Sequence, residues 1–224
     1  MPRLYRLPIA ALLAALSLTA CETTAPVRHT PPPPPPPPPT MDDGPALSDW
    51  RALVTPADRD RYDRRDQAWS VALEQARRLR GSGDLRGLGE LVAPGAQRPS
   101  VTPPVGDYRC RTVKLGSRGD DEGLGYVVYG WFACRIEDTP NGLKFIKRTG
   151  SQRPSGLLFP EDDRHMVMLG SMALADDPPA DSYGLNPDRD LIAVLERVGE
   201  RRWRLVIPWP TAESNLDIIE LVPA

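Results

Sequence analysis

Few side chains in this sequence have the types and spacing that catalysis requires. It contains only two histidines, His29 and His165, so it offers no histidine cluster that could bind zinc. A Ser–His–Asp triad would have to use His165, but the G-x-S-x-G motif that presents a nucleophilic serine does not occur. Residues 186–190 are similar to the start of a calcium loop, yet Leu191 and Arg197 stand where such a loop needs Gly and Glu. We therefore predict no metal site, no cofactor and no catalytic residue.

Two groups of polar residues are candidate binding sites. Guanidinium groups bind carboxylates or phosphates bidentately, so arginines on neighbouring strands could form an anion-binding patch, although salt bridges to nearby acids are the alternative. The members of this group are Arg109, Arg111 and Arg135. The second group lies in a polar turn at residues 149–154, which is interpreted either as a partner contact or simply as a hairpin turn. Its members are Ser151, Gln152 and Arg153.

The N-terminal segment predicts export. Arg3 and Arg6 precede an uncharged stretch at residues 7–20 that is rich in Ala and Leu. This stretch is shorter than the roughly 20 apolar residues that a helix needs to span a bilayer. A basic start followed by a short apolar run and small residues is typical of a secretory signal peptide, which we place at residues 1–20.

Cys21 is the predicted lipidation site. Residues 18–21, Leu-Thr-Ala-Cys, resemble a bacterial lipobox, which implies that the thiol is acylated and that the cysteine becomes the new N-terminus. An ordinary signal peptide with an incidental cysteine is the alternative. Acyl chains anchor a protein because each buried CH₂ contributes about 0.8 kcal/mol. Since Glu22, rather than the Asp of the best-known inner-membrane retention signal, follows the cysteine, we expect the periplasmic face of the outer membrane.

A proline-rich tether is predicted at residues 21–48. The nine consecutive prolines at positions 31–39 have no backbone N–H groups and favour a polyproline II rod about 28 Å long. The tether has too little apolar surface to form a core. We interpret it as a spacer that holds a folded domain away from the membrane, with a ligand for a proline-binding domain as the alternative.

Charge excludes one class of partner. Removal of residues 1–20 leaves 26 basic and 30 acidic residues, a net charge of −4. Nucleic-acid binding proteins carry a basic surface, which this exported chain lacks. Only three of the basic residues are lysines: Lys114, Lys144 and Lys147.

Residues 49–105 are predicted to form a helical annex. Thr55, Pro56 and Asp58 are suited to a helix start, and Gly81 to its end. A shorter helix is predicted near residues 85–91. Between the two ends, apolar side chains recur at helical spacing and need a surface on which to dock. These side chains are Tyr62, Trp69, Ala72, Leu73, Ala76 and Leu79.

Residues 106–224 are predicted to form an antiparallel β domain. Short runs of β-branched and aromatic residues alternate with turn signals such as Asn141-Gly142. We count eight strands, near residues 107–115, 126–137, 143–149, 155–159, 165–174, 190–198, 202–209 and 216–222. Eight short strands favour a small closed barrel, similar to a lipocalin, with a β-sandwich as the alternative. The fold class is therefore α+β, mainly β.

Cys110 and Cys134 are predicted to form a disulfide, because exported proteins fold in an oxidising compartment. If the two cysteines face each other, Val113 faces Trp131 and Leu115 faces Tyr129. Both cysteines then point into the core. Tyr129 and Trp131 would form part of an apolar outer surface on which the stripe around Trp69 docks.

Several stretches of this sequence are similar to a family of bacterial envelope proteins, the domain of unknown function 4893. They include "GDYRCRTVKLG", "WFACR", "TGSQRP" and "RWRLVIPWP", with "DWRALVTPADRDR" and "AWSVALEQAR" in the helical part. The resemblance covers residues 49 to 223. It implies no activity, because no function or functional residues are assigned to the family.

Together these features favour a non-enzymatic binding or scaffolding module held in the cell envelope by its lipid, with an envelope protein as its partner. A small-ligand carrier and an enzyme-inhibitor barrel are alternatives within the same class. A hydrolase of envelope material is the alternative outside it, and it would need a deep pocket with two nearby carboxylates.

Overall fold

The structure is a computed structural model that describes residues 49–119, 123–180 and 182–224. The predicted signal peptide (1–20), the tether (21–48) and the lipidation site Cys21 lie outside these residues, and their assignments stay predictions. Among the described residues, no helix combines the length and the apolar character needed to cross a membrane.

Eight antiparallel strands close into a barrel in which each strand pairs with its neighbours in the chain and β1 pairs with β8. The predicted closed barrel is thus confirmed. The strands are β1 (Gly106–Leu115), β2 (Tyr126–Thr139), β3 (Gly142–Lys147), β4 (Gln152–Pro160), β5 (His165–Leu174), β6 (Asp190–Gly199), β7 (Arg202–Pro208) and β8 (Leu216–Pro223).

The inside of the barrel is packed with apolar side chains. Phe145, Met168 and Leu205 lie at its centre and are fully buried. At the end of the barrel that contains Gly106, the rings of Tyr108 and Trp203 meet edge to face, with 6.2 Å between their centroids. This arrangement follows from strand alternation, because every second residue of each strand points inward.

The disulfide between Cys110 and Cys134 is present, with 5.8 Å between the Cα atoms. The predicted facing pair is nevertheless wrong, since Cys110 faces Phe132 and Cys134 faces Tyr108. The bond therefore runs diagonally between β1 and β2. The offset is two residues, which preserves the faces, so both cysteines point into the core as predicted.

A β-bulge makes the rest of the register between β1 and β2 differ from the predicted one. Across it, β2 advances three residues while β1 advances two, which reverses the faces of β2 towards its N-terminal end. Arg111 faces Trp131, Val113 faces Val128 instead of Trp131, and Leu115 faces Tyr126 instead of Tyr129.

The helical annex contains two α-helices and two 3₁₀ helices. They are α1 (Pro56–Asp63), α2 (Arg65–Arg78) and the 3₁₀ helices Trp50–Ala52 and Arg86–Val92. Thr55 caps α1 as predicted by accepting a hydrogen bond from the backbone N–H of Asp58. The single helix predicted between Pro56 and Leu79 is interrupted at Arg64, whose carbonyl accepts a hydrogen bond of 3.1 Å from Trp209 Nε1.

Helix α2 packs on the outer face of β1, β7 and β8. Trp69 is only 8% exposed, and it shares a buried cluster with Val113 and Leu115, as expected. The other two predicted contacts are wrong, because Tyr129 and Trp131 are 40% and 43% exposed. The two-residue offset places Trp131 opposite Arg111, and the bulge then places Tyr126 and Val128, instead of Tyr129, against the annex.

Candidate functional site

The barrel wall has a notch at the end where β1 finishes and β2 starts. Strand β2 begins at Tyr126, but it pairs with β3 only from Cys134 to Thr139. Strand β3 already ends at Lys147, and β4 begins at Gln152. The wall between β2 and the β3–β4 turn is therefore lower than its surroundings and gives access to the inward-facing side chains.

A cavity of about 90 Å³ opens at this notch. It shares Lys114 and Gln152 with a second cavity of about 370 Å³ above the barrel core. We call the two cavities together the barrel mouth. The lining of the smaller one combines amines, an amide, a carboxylate and hydroxyl groups with two aromatic rings: Thr112, Lys114, Tyr129, Phe132, Lys147, Ser151, Gln152 and Glu213.

Lys114 points inward from β1 and is held by two carboxylates. Its Nζ lies 3.0 Å from Asp217 of β8 and 3.1 Å from Glu213. Asp217 also accepts a hydrogen bond of 2.5 Å from the Ser214 hydroxyl. Burial acts to lower the pKa of Lys114, but the two carboxylates outweigh burial and raise it. Lys114 is therefore a paired cation.

Lys147 points inward from β3 and has a different environment. It is 5% exposed, and its Nζ donates to the carbonyls of Thr149 and Gln152 at 2.9 and 2.8 Å. The Phe132 ring centroid lies 3.9 Å from the same nitrogen. Burial, followed by the nearby charges of Arg153 and Lys114, lowers the pKa of Lys147 to about 8.

The three predicted anion-binding arginines lie on the outer wall, but they do not converge on one point. Arg109 and Arg111 place their guanidinium groups 5.1 and 4.8 Å from the ring centroid of Trp131. Arg111 also pairs with Glu220, and Arg135 pairs with Asp107 at 2.8 Å. Two of the three thus contact acids, which is the alternative that the sequence left open.

The predicted turn residues divide between two tasks. Ser151 and Gln152 line the barrel mouth. Arg153 instead holds the turn together, since it donates to the carbonyls of Gly150, Ala175 and Asp177. The turn thus contributes two side chains and two backbone carbonyls, those of Thr149 and Gln152, to the mouth.

His165 lies on the outer face, away from the mouth. Glu196, 3.5 Å from Nε2, and Asp162, 2.9 Å from Nδ1, outweigh partial burial and raise the pKa of His165 to about 9. The imidazole is therefore protonated near neutral pH and unsuited to act as a general base. Glu196 is in turn bound by Arg204 at 2.5 Å.

Sequence reasoning missed Lys114 and Lys147 as site residues. A usable signal was present for Lys114, because it shares the inward parity of Cys110 on β1. For Lys147, the low lysine content was the available hint: three lysines in the chain, two of them inside the barrel.

The family model of the domain of unknown function DUF4893 matches residues 50–221. This range covers the annex and nearly the whole barrel, including every residue of the mouth. No curated protein and no solved structure matches the sequence.

Proposed function

The chain belongs to the family of the domain of unknown function DUF4893, and we propose that it is a non-enzymatic binding module with the barrel mouth as its binding surface. In this proposal an acylated Cys21 anchors it to the periplasmic face of the outer membrane, and residues 21–48 act as the spacer. An envelope protein or a small ligand of the envelope is its partner.

One observation carries the proposal: the barrel interior is packed, and polar inward-facing groups collect at the mouth. The core around Phe145 and Met168 leaves no hollow for a large lipophilic ligand. The amide, hydroxyl and ammonium groups at the mouth are of the kind that orients a bound molecule. This distribution favours recognition at the rim over storage inside the barrel. An enzyme-inhibitor barrel remains one form of the proposal.

A carboxylate-based hydrolase is the second candidate, and one observation favours it. Asp217 and Glu213 both contact Lys114 Nζ, so their nearest carboxylate oxygens are no more than about 6 Å apart, close to the separation in glycosidase pairs. However, the Lys114 ammonium occupies the space between them, where a glycosidic oxygen or a water would have to lie. Release of sugars from cell-wall glycan that Asp217→Asn abolishes would favour the hydrolase over the binding module.

Anchoring is tested with Cys21→Ser. We expect this variant to leave the outer-membrane fraction, because it lacks the thiol that is acylated. Cell fractionation with mass spectrometry of the N-terminal peptide measures the outcome. An acylated variant that still fractionates with the outer membrane would contradict the lipid anchor.

The binding surface is tested by photo-crosslinking in intact cells. A photoreactive amino acid at Ser151, in the mouth, should give a discrete adduct that mass spectrometry can identify. The control position is Ser70, exposed on helix α2. Equal adducts from both positions, or none from Ser151, would contradict the proposal.

A further inference from the structure

Lys147 contacts neutral groups, and one of them is the Phe132 ring, whose centroid lies 3.9 Å from its Nζ. An ammonium group has three N–H donors, and the carbonyls of Thr149 and Gln152 accept two. Among the described residues, no carboxylate forms an ion pair with Lys147. A cation that is 95% removed from solvent is normally paired, because desolvation of an unpaired charge is costly.

The mouth has as many carboxylates as cations in its lining, but among the described residues none of these carboxylates pairs with Lys147. From β1, Lys114 is matched by Asp217 of β8 and by Glu213. From β4, Arg153 donates only to backbone carbonyls. Glu213 also lines the smaller cavity, where it contacts Lys114 at 3.1 Å and not Lys147. In the part of the chain that the structure describes, neither Lys147 nor Arg153 forms an ion pair with a carboxylate.

The cavity beside Lys147 suits a small polar group. Its volume of about 90 Å³ is enough for one small anion with water, and too little for a large ligand. Thr112, Ser151 and Gln152 line it and offer hydroxyl and amide donors. Charge-assisted hydrogen bonds to an anion are about twice as strong as neutral ones, so these donors and the ammonium would act together.

We propose that the barrel mouth binds an anionic group, a carboxylate or a phosphate, against the ammonium of Lys147. This inference rests on the proposed function, since it names the chemistry that the mouth recognises. The group belongs either to a side chain or chain end of a partner or to a small envelope molecule. The bound anion supplies Lys147 with the countercharge that its two carbonyl acceptors and the Phe132 ring do not provide.

The rival explanation is that Lys147 only holds the β3–β4 turn through its two carbonyl contacts. Both explanations fit the burial of Lys147, but they differ in response to anions. A turn clamp has no reason to change when acetate or phosphate is added. An anion site changes, because an opposite charge within hydrogen-bonding distance favours the protonated amine and raises its pKa.

The test is a ¹³C NMR titration of the lysine side chains in the whole mature protein, purified in detergent. The chain has only three lysines, so Lys→Met variants assign every signal. Without added anion, Lys147 should titrate near its pKa of about 8. Millimolar acetate in one arm and inorganic phosphate in the other should raise this midpoint by about one pH unit.

A second measurement uses the pH dependence of acetate binding. Acetate stays ionised between pH 7 and pH 9, whereas the protonated fraction of a group with a pKa of about 8 falls about tenfold. Its affinity should therefore fall up to about tenfold over this range. Lys147→Met should abolish binding, and Lys144→Met, on the same strand, should leave it unchanged.

Each outcome decides the proposal. A response to both anions, or to one of them, supports the site and identifies the accepted class. A Lys147 signal that neither anion changes overturns it, and this readout does not need Lys147→Met to fold, because Lys114→Met and Lys144→Met assign the Lys147 signal by elimination. If Ser151 still crosslinks to a partner while neither anion changes the titration midpoint of Lys147, the anion inference fails and the proposed function stands. If Ser151 gives no adduct and neither anion changes the Lys147 signal, both the proposed function and the anion inference are overturned.

Discussion

Arg204 and Lys147 are both buried cations, but among the described residues only Arg204 has a carboxylate partner. Arg204, on the outer face of β7, is 1% exposed and binds Glu196 at 2.5 Å. It also donates to the carbonyls of Glu90, Leu91 and Ala93 in the annex. Lys147, on the inner face of β3, has two carbonyl acceptors and an adjoining cavity.

The difference separates a structural role from a binding role. Arg204 joins the annex to the barrel: its guanidinium lies under the Trp69 ring, 4.9 Å from the centroid, and it satisfies backbone carbonyls at the end of a 3₁₀ helix. Removing such a group leaves Glu196 as a buried, partly unpaired charge. Lys147 leaves no comparable partner behind, because its acceptors lie in a turn that water reaches.

Arg204→Met is the substitution from which we expect the largest loss of stability. We expect the free energy of unfolding to fall by about 3–5 kcal/mol, the usual effect of removing one partner of a buried ion pair. Denaturant unfolding measures the change. Arg77→Met, at an exposed position of α2, should alter stability by no more than about 0.5 kcal/mol. A loss below about 1 kcal/mol for Arg204→Met would show that the annex does not depend on this contact.

Trp69→Ala removes the ring that covers Arg204. Truncation of a buried Trp costs about 3–5 kcal/mol, and we expect the lower end, about 3 kcal/mol, because part of the ring is exposed. Trp131→Ala is the matched control: that ring is 43% exposed, so its loss should cost about 1 kcal/mol or less. Equal effects in thermal or denaturant unfolding would contradict the observed docking surface.

The pH dependence of stability tests the contact of His165 with Glu196, the carboxylate that Arg204 also binds. Its pKa is raised to about 9 from an ordinary 6.5, mainly by Glu196 and Asp162. The stabilisation is therefore complete below about pH 6.5 and is lost as the pH rises through 9. Between pH 7 and pH 10, wild type should lose about 1–2 kcal/mol more than His165→Gln, after allowance for solvent screening. If the free energy of unfolding changed equally with pH in the two proteins, the raised pKa of His165 would be contradicted.

The smallest effect is expected for Lys147→Met. Stability at pH 7 should change by about 1 kcal/mol or less, because the variant loses two hydrogen bonds but also avoids a desolvated charge. The folded-state pKa of Lys147 is lowered to about 8 from 10.5. Wild type should therefore gain stability between pH 8 and pH 10.5, a gain that the variant lacks. A loss of several kcal/mol would make Lys147 a structural clamp like Arg204.

Much of the barrel was predictable because strand alternation is a local property. The period of two in β1 and β2 placed Cys110 and Cys134 on the core face, and the oxidising compartment implied by the predicted export signal favoured their pairing. The cap at Thr55 and the burial of Trp69 were readable for the same reason. Each depends on residues within a few positions of one another.

The register between strands and the identity of the site depended on distant residues. A register offset of two residues placed Trp131 opposite Arg111, and one extra residue in β2 moved Tyr129 away from the annex. No short-range sequence pattern indicates either of these changes. The interruption at Arg64 depends on Trp209, far along the chain.

The sequence by itself determined the strands, the closed barrel, the disulfide and the amphipathic annex, because hydrophobic periodicity acts within each element. Only the tertiary structure decided which charges are satisfied. Lys114 lies 103 residues from its partner Asp217, and Arg204 more than 100 residues from the annex carbonyls. Lys147 differs from both because its acceptors are carbonyls only two and five residues away, and among the described residues the strands that meet around it bring no carboxylate into contact with it. A cation's environment is the sum of groups from several strands, so its role emerges only when those strands meet.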